Sequence, residues 1–232
     1  MTERGCDRVE RSPNTLAIGA SSLCWDGAGL TIIVDEWSAP FPRRIRGRVR
    51  LEAEALNTQA FELETTGAHL WQTIAPLAHV EATFSEPALR WRGHGYFDMN
   101  HGDEPLEAAF SRWTWSRARL RNQARVFYDA ERRRAPPLAL SLAFSEDGVV
   151  TATPAPAIVG LPKTRWRLNR TTRSDGGAAI EQTLEDTPFY ARSRLTHWLD
   201  GARADSIHES LDLDRFANPL VKAMLPFRMP RM

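Results

Sequence analysis

Hydrophobic and polar residues alternate with a period of two along much of the chain. In residues 45–55, small or apolar side chains alternate with charged ones. The first set is Ile45, Gly47, Val49, Leu51, Ala53 and Ala55, and the second is Arg46, Arg48, Arg50, Glu52 and Glu54. Because successive side chains of a strand point to opposite faces, this pattern predicts a half-buried β-strand.

Similar segments recur at short intervals and predict an all-β fold. They lie at 30–34, 68–74, 78–84, 107–116, 124–130, 138–144, 164–169, 179–185, 189–198 and 205–212. Turn signals separate several of them, at Glu86-Pro87, Asp147-Gly148, Asp175-Gly176-Gly177 and Asp200-Gly201. Many short strands at this spacing favour a barrel or a sandwich over βαβ units. The clearest helix is predicted from Pro219 to Met224, with Asn218 as its N-cap.

A break at Gly102-Asp103-Glu104-Pro105 predicts two domains, residues 1–105 and 106–232. The chain ends in RFANPLVKAMLPFRMPRM, which has four basic residues and no acidic one. Apolar residues interleave with these cations, a pattern that suits an anionic membrane surface. A docked C-terminal segment with solvated arginines explains it equally well.

Composition narrows the class of protein. With 42% hydrophobic and 25% charged residues and a net charge of +1, the chain is predicted to be a soluble globular protein without a nucleic-acid partner. Eight tryptophans suit either core packing or a large apolar ligand. The two cysteines form neither a disulfide framework nor a zinc motif. The polar start predicts no signal peptide, and a cytoplasmic location fits best.

The segment GHGYFDMNHG at 93–102 carries the most candidate chemistry. If it is a strand, one face presents His94, Tyr96, Asp98 and Asn100, while Phe97 and Met99 point the other way. A second strand, at 68–73, places His69, Trp71 and Thr73 on one face. Burying such polar groups costs free energy unless they are paired, which favours a functional site.

Each of these residues also has a structural interpretation. Asp98 is equally well explained as an acceptor of backbone N–H bonds in a turn. Single histidines are more often satisfied or exposed than catalytic, and Trp71 alone suits a core. A metal site at His94, Asp98 and His101 lacks a recognised spacing, so no metal is predicted. The nucleophile-elbow, Walker, zinc-protease and dinucleotide motifs do not occur in the sequence.

The long block GHGYFDMNHGDEPLEAAFSRWTWSRA (93–118) resembles the signature block of the carotenoid 1,2-hydratase family, also called hydroxyneurosporene synthases. SSLCWDG (21–27), GAHLWQTIAP (67–76) and LDLDRFANPLVKAMLPFRMPR (211–231) are also similar to that family, in the same order. The resemblance implies two lipocalin-like β-barrel domains. It also implies that this chain begins after the N-terminal block that opens the first barrel, so that barrel is expected to be incomplete.

The resemblance carries the family's His-x-Trp and Tyr-x-Asp pairs onto His69, Trp71, Tyr96 and Asp98 as catalytic residues. Substrate binding is assigned to His94, Asn100, Trp113 and Trp115. The implied reaction adds water to the C1–C2 double bond of an acyclic carotenoid, such as neurosporene or lycopene, without a cofactor. The protein is then expected to lie in the cytoplasm, with peripheral contact to the inner or photosynthetic membrane.

In the implied mechanism Asp98 is the general acid, which must be protonated although a free aspartate is ionised near neutral pH. An apolar aromatic site favours the neutral form. Trp71 and Tyr96 would face the developing cation. His69 would either activate the water or orient the acid by hydrogen bonding.

Three alternatives stay open: another isomerase or cyclase reaction on the same scaffold, a non-catalytic binder of a hydrophobic ligand, and a structural two-barrel protein.

Overall fold

The computed structural model of the chain describes residues 5–38 and 41–225. The basic tail begins at Arg215, and its last part, residues 226–232, lies outside the described residues. The fold is all-β with antiparallel sheets, which confirms the all-β part of the predicted fold class. No helix in the described part of the chain has the length and apolar character that crossing a membrane requires.

The backbone forms two compact units. The first comprises the described residues up to Leu56 together with Ala75–Phe97. The second comprises Asn57–Ile74 and Asp98–Met224. Two long strands contribute residues to both units, β7 (His69–Glu86) and β8 (Ala88–Gly102).

In the first unit, the strands pair antiparallel in the order β1-β2-β3-β4-β5-β7, and β8 also pairs with β7. The strands that precede β7 are β1 Val9–Arg11, β2 Thr15–Ile18, β3 Ser21–Trp25, β4 Leu30–Trp37, β5 Arg44–Ala53 and β6 Ala60–Glu62. Of these, β6 belongs to the second unit. The core of the first unit forms around Leu30, Leu51, Ala75 and Ala78, with Ala53 and Val80 packed against it. The alternation predicted at 45–55 thus places Leu51 and Ala53 on the core face.

In the second unit, seven strands pair in the order β12-β11-β10-β9-β17-β16-β15, and β13 pairs with β14. These strands are β9 Phe110–Arg119, β10 Gln123–Arg132, β11 Leu138–Ser145, β12 Val150–Ala152, β13 Ile158–Leu161, β14 Arg170–Arg173, β15 Ala178–Asp186, β16 Tyr190–Leu199 and β17 Ala202–Asp212. The short helices are α1 Leu106–Ala109, α2 Leu213–Phe216 and α3 Pro219–Met224. Among the described strands neither order closes on itself, so the predicted barrels are not confirmed.

The C-terminal helix matches its prediction. α3 spans Pro219–Met224, and the Asn218 side chain accepts a hydrogen bond from the Leu220 N–H at 2.9 Å. Near it, Arg215 donates to the Trp166 carbonyl at 2.7 Å, and Lys222 Nζ lies 2.5 Å from Glu107 Oε1. The described part of the basic tail is therefore docked on the second unit.

Two predicted strands differ from the structure. Residues 164–169 form a turn, because Arg167 adopts φ +58° and the Leu168 N–H bonds the Thr164 hydroxyl at 3.2 Å. The strand predicted at 107–116 begins only at Phe110, since the residues before it form α1. In both places local hydrogen bonds replace a strand ladder.

The interior of the second unit holds buried polar groups that fasten β14. His208 Nε2 lies 2.8 Å from the Thr171 carbonyl, which can only accept, so Nε2 carries the proton. Arg170 donates to the Ser193 hydroxyl at 3.0 Å. His197 Nδ1 lies 2.8 Å from the Arg173 carbonyl. The pKa of His208 is lowered to about 4, mainly by burial and in part by the nearby Arg170 charge, against the opposing effect of the hydrogen bond to the Thr171 carbonyl.

This lowered pKa makes stability depend on pH. The unfolded chain takes up a proton on His208 as the pH falls below about 6.5, whereas the native chain does not until about 4. The contribution of His208 to the unfolding free energy is therefore fully present above about pH 6.5 and is lost as the pH falls towards about 4.

We expect His208→Gln to flatten this dependence, since glutamine can still donate to the Thr171 carbonyl but does not titrate. Between about pH 7 and pH 5, the wild type should lose about 2 kcal/mol more unfolding free energy than the variant. Urea unfolding at both pH values measures the difference. If the unfolding free energies of the two proteins fell equally between these pH values, His208 would not be the group that causes the pH dependence.

Candidate active site

Two of the predicted catalytic residues share a hydrogen bond in the second unit. The Trp71 indole N–H donates to Asp98, with 2.8 Å between Nε1 and Oδ2. Trp71 is fully buried and Asp98 is half-buried. Trp71 lies opposite Phe61 in the β6–β7 pair, and their ring centroids are 5.5 Å apart. Strand pairing and ring packing thus fix the indole against the carboxyl group.

This hydrogen bond distinguishes the two oxygens of Asp98. An indole N–H can only donate, so Oδ2 must accept. In the neutral acid, one oxygen is a carbonyl and the other carries the proton; Oδ2 fits the carbonyl and Oδ1 the hydroxyl. In the ionised form, the same N–H stabilises the carboxylate. The pair therefore suits a group that gives up a proton and later regains it.

Tyr128 on β10 completes the surroundings of this pair, and the sequence analysis did not single it out. Its ring centroid lies 5.3 Å from that of Trp71, and its hydroxyl lies 3.5 Å from Asn100 Oδ1. Burial raises the pKa of the Tyr128 hydroxyl far above its usual range, and the charges of Asp98 and Glu209 add to this rise. Tyr128 is therefore a neutral donor beside the carboxyl group.

An aromatic wall continues from Tyr128 along β9. The Trp113 ring centroid is 5.8 Å from that of Tyr128 and 6.4 Å from that of Phe110. Trp115 lies directly opposite Tyr128 in the β9–β10 register and is buried. Because residues two apart share a strand face, Trp113 and Trp115 lie on the same side of the sheet. The structure thus brings the predicted Trp113 into contact with the ring cluster around Asp98.

His69 is held at the entry of β7 and is 2% exposed. Its ring packs edge-on against Phe110 at 5.2 Å, and its Nε2 lies 3.9 Å from Glu104 Oε1. Gly102 lies so close that a Cβ there would be 2.2 Å from His69 Nδ1. The Asp103 N–H bonds the Ala68 carbonyl at 2.9 Å, which keeps the end of β8 beside His69.

A buried carboxylate shapes the turn before His69. Glu64 accepts hydrogen bonds from the Thr66 hydroxyl at 2.7 Å and from the Ala68 N–H at 2.6 Å. The Thr66 hydroxyl is the main cause that keeps the pKa of Glu64 below its usual value, and the backbone N–H bonds act in the same direction. The ionised Glu64 therefore holds this turn and places negative charge near His69.

The other predicted site residues of β8 are less buried than expected, and two of them belong to the first unit. Tyr96 is half-buried and belongs to the first unit, two residues before Asp98 on the strand. His94 also belongs to the first unit and is exposed, as is Asn100 in the second. The interpretation that His94 and Asn100 are buried polar groups is wrong, because in the described sheets β8 pairs with β7 alone. Strand periodicity gives a shared face but not its burial.

The predicted strand at 68–73, which forms the start of β7, agrees with the structure in the face that its side chains share. Thr73 shares the buried face with His69 and Trp71, as predicted. Among the described residues, its hydroxyl has no hydrogen-bond partner. Phe110 and Glu104, which contact His69, lie within the 93–118 block that the sequence analysis quoted. Tyr128 lies outside it, and a tertiary contact between its ring on β10 and that of Trp71 on β7 brings it to the site.

Comparison with known proteins gives a consistent family match. The acyclic carotenoid 1,2-hydratase of Thiocapsa roseopersicina is 48% identical over 235 residues, covering 100% of this chain and 58% of that protein. The Rubrivivax gelatinosus protein of the same name is 43% identical, with the same two coverages. That of Rhodobacter capsulatus is 39% identical, covering 100% of this chain and 83% of that protein. The chain thus spans 58% of the length of the first two relatives.

Among solved structures, the crystal structure of CghA with Sch210972 matches with a TM-score of 0.51 at 13% identity. The match covers 88% of this chain and 69% of that one, and it is a likeness of fold alone. The family model described as carotenoid hydratase CrtC matches residues 1–232. Because that match runs over the whole sequence, the chain belongs to the carotenoid hydratase CrtC family.

Proposed function

We propose that this chain carries the acid-catalysed step of carotenoid 1,2-hydration, the addition of water across the C1–C2 double bond of an acyclic carotenoid such as neurosporene or lycopene. The observation that carries the proposal is the hydrogen bond between Trp71 Nε1 and Asp98 Oδ2 inside a cluster of aromatic rings. The names of the curated relatives support the same reaction.

Asp98 is proposed as the general acid. Its proton, held on Oδ1, is transferred to C2, and the π electrons of the double bond form the new C–H bond. A tertiary cation remains at C1, and the Asp98 carboxylate keeps the hydrogen bond from Trp71. A neighbouring aromatic surface disfavours the charged carboxylate before the transfer, which favours the protonated acid at the start of each cycle.

The aromatic rings are proposed to stabilise the cation at C1. A desolvated cation over an aromatic face gains about 0.5–2 kcal/mol. Trp71, Trp113 and Tyr128 present such faces within one contact network. Tyr96, which the family motif assigns to the same role, precedes Asp98 by two residues. These rings cannot capture the cation as a strong nucleophile would, so it persists until water arrives.

Water then attacks C1 and loses a proton, which completes the addition. His69 is proposed to position this water or to accept its proton. The 3.9 Å between His69 Nε2 and Glu104 Oε1 exceeds a direct hydrogen bond and is a distance that one water molecule can bridge. Return of the proton to Asp98 regenerates the acid. No electrons are exchanged, and the proposal needs no cofactor.

The proposal includes the wider organisation inferred from the sequence. It comprises two lipocalin-like barrel domains, residues 1–105 and 106–232, with His94, Asn100, Trp113 and Trp115 binding substrate. The antiparallel sheets of short strands support this architecture. A cytoplasmic protein that takes an apolar carotenoid from a membrane must contact that membrane, so peripheral association is proposed as well.

Asp98→Asn should reduce hydration of lycopene by at least about 10²-fold, the usual contribution of a positioned acid. The asparagine carbonyl can still accept the Trp71 N–H, so folding and carotenoid binding should remain. Anaerobic incubation in liposomes followed by mass spectrometry detects a product heavier by one water. The full-length Thiocapsa relative is the positive control. Substantial turnover by the variant would overturn the acid assignment, and bound but unconverted carotenoid in the wild type would favour a binding protein.

Replacing Tyr128 separates the roles of its ring and its hydroxyl. Tyr128→Phe keeps the aromatic face and loses only a long contact to Asn100, so the turnover rate should fall no more than about threefold. Tyr128→Leu removes the face and should lower the rate about tenfold further, equivalent to about 1.4 kcal/mol. The measurement is the turnover rate of each variant, divided by the amount of carotenoid that the variant binds. Equal rates for the two variants would contradict a role of the ring in stabilising the cation.

Gly102→Ala should disturb His69 and not the acid. The added Cβ would lie 2.2 Å from His69 Nδ1 and 3.0 Å from the Ala68 carbonyl, and such overpacking costs about 1–3 kcal/mol. We expect a lower unfolding midpoint and a lower turnover rate. Gly93→Ala, on the same strand with no heavy atom within 4 Å of the new Cβ, is the matched control. Equal effects of the two substitutions would rule out a specific steric role for Gly102.

A further inference from the structure

A cluster of metal-binding residue types lies in the first unit, apart from the residues around Asp98. Glu54, His79 and His94 each place one ligand atom within 4.8 Å of the other two. The three residues follow or belong to different strands, β5, β7 and β8. All three lie in one compact unit, so their separation is a property of that unit alone.

Strand registers place the three side chains on one face. His79 lies opposite Glu52 in the β5–β7 register, and the Glu54 N–H bonds the Leu77 carbonyl at 3.0 Å, which extends that register. Residues two apart share a face, so Glu54 lies on the side of His79. A Cβ on Gly95 would meet Val80 and Ala78, which belong to the core face.

His94, the neighbour of Gly95, consequently faces away from the core. Its ring centroid lies 5.6 Å from that of His79. The side chain of His79 is 62% exposed and that of Glu54 is 17% exposed. The cluster is therefore anchored by a largely buried carboxylate and open to solvent on the histidine side, which gives an ion an entry path.

The distances suit a small divalent ion. Zinc binds histidine nitrogen at about 2.0–2.1 Å and carboxylate oxygen at about 2.0–2.2 Å, so two tetrahedral ligands are about 3.4 Å apart. His79 Nε2 and Glu54 Oε1 are 3.5 Å apart. The ligand nitrogen of His94 lies within 4.8 Å of the ligand atoms of the other two residues. Two imidazoles with one carboxylate suit a borderline transition-metal ion better than magnesium or calcium.

The charged side chains beside the histidines are two acidic and two basic ones. A surface cavity of about 280 Å³ beside the histidines is lined by Glu52 and Glu81 as well as by Arg50 and Arg92. Arg50 and Glu81 are paired with other side chains, since Arg50 Nη1 lies 2.5 Å from Asp26 and Arg90 Nη2 lies 2.9 Å from Glu81. The Glu54 carboxylate thus supplies the ligand charge, and solvent can fill the remaining positions.

We propose that Glu54, His79 and His94 form a binding site for a divalent transition-metal ion, of which Zn²⁺ is the representative. The ion links three adjacent strands of the first unit. Glu54 and His79 have no role in the proposed hydration. His94 is proposed there only as a contact to the substrate and takes part in no step that makes or breaks a bond.

Isothermal titration of the metal-free full chain with Zn²⁺ tests the proposal. We expect one ion per chain with a dissociation constant in the micromolar range, and at least tenfold weaker binding in His79→Gln, His94→Gln and Glu54→Gln. His101→Gln, an exposed histidine on β8 outside the cluster, should bind as the wild type does. Wild-type affinity in His79→Gln, or no saturable binding in the wild type, would overturn the site.

A second measurement identifies the ligands and controls for folding. Co²⁺ in place of Zn²⁺ should give visible absorption bands that are lost in His79→Gln and kept in His101→Gln. In the absence of metal, the variants should unfold at the wild-type temperature, and saturating Zn²⁺ should raise the midpoint only where the three ligands are intact. Identical cobalt spectra for the wild type and His79→Gln would assign the ion elsewhere and refute the proposal.

Discussion

The hydrogen bond from Trp71 to Asp98 is the constraint on which the candidate site depends. It satisfies an indole N–H on a fully buried side chain, which would otherwise cost about 1–3 kcal/mol. It links residues 27 positions apart in the sequence and so joins the start of β7 to the end of β8. It also identifies Oδ2 as an acceptor. The rings of Phe61 and Tyr128 pack against the Trp71 indole, and the ring of Trp113 packs against that of Tyr128.

The second unit contains buried polar groups of two kinds, and their partners distinguish them. His197, His208 and Arg170 bond backbone carbonyls and serine hydroxyls, so they fasten one segment of chain to another. Asp98 instead accepts a hydrogen bond from the Trp71 indole, whose ring packs against those of Phe61 and Tyr128. Aromatic surroundings favour the neutral form of a carboxyl group, and a neutral carboxyl group can donate a proton. Buried polarity alone therefore does not identify the functional site.

Sequence periodicity predicted the strands and the shared face of His69 and Trp71, because both follow from local backbone geometry. It could not predict that Tyr128 joins them, since that contact forms between side chains of β10 and β7, which are far apart in the sequence. It also could not assign burial, so His94 was expected within the site although it is exposed in the first unit. The strand expected at 164–169 failed because Arg167 takes a positive φ within a hydrogen-bonded turn.

In the proposed reaction, an acid delivers a proton to carbon before water adds. Anaerobic turnover of lycopene in D₂O, followed by mass spectrometry and NMR of the product, tests this order of steps. We expect one carbon-bound deuterium at C2 and a solvent-derived hydroxyl at C1. A hydroxylated product without deuterium on carbon would contradict proton transfer from Asp98 and would require a different reaction at this site.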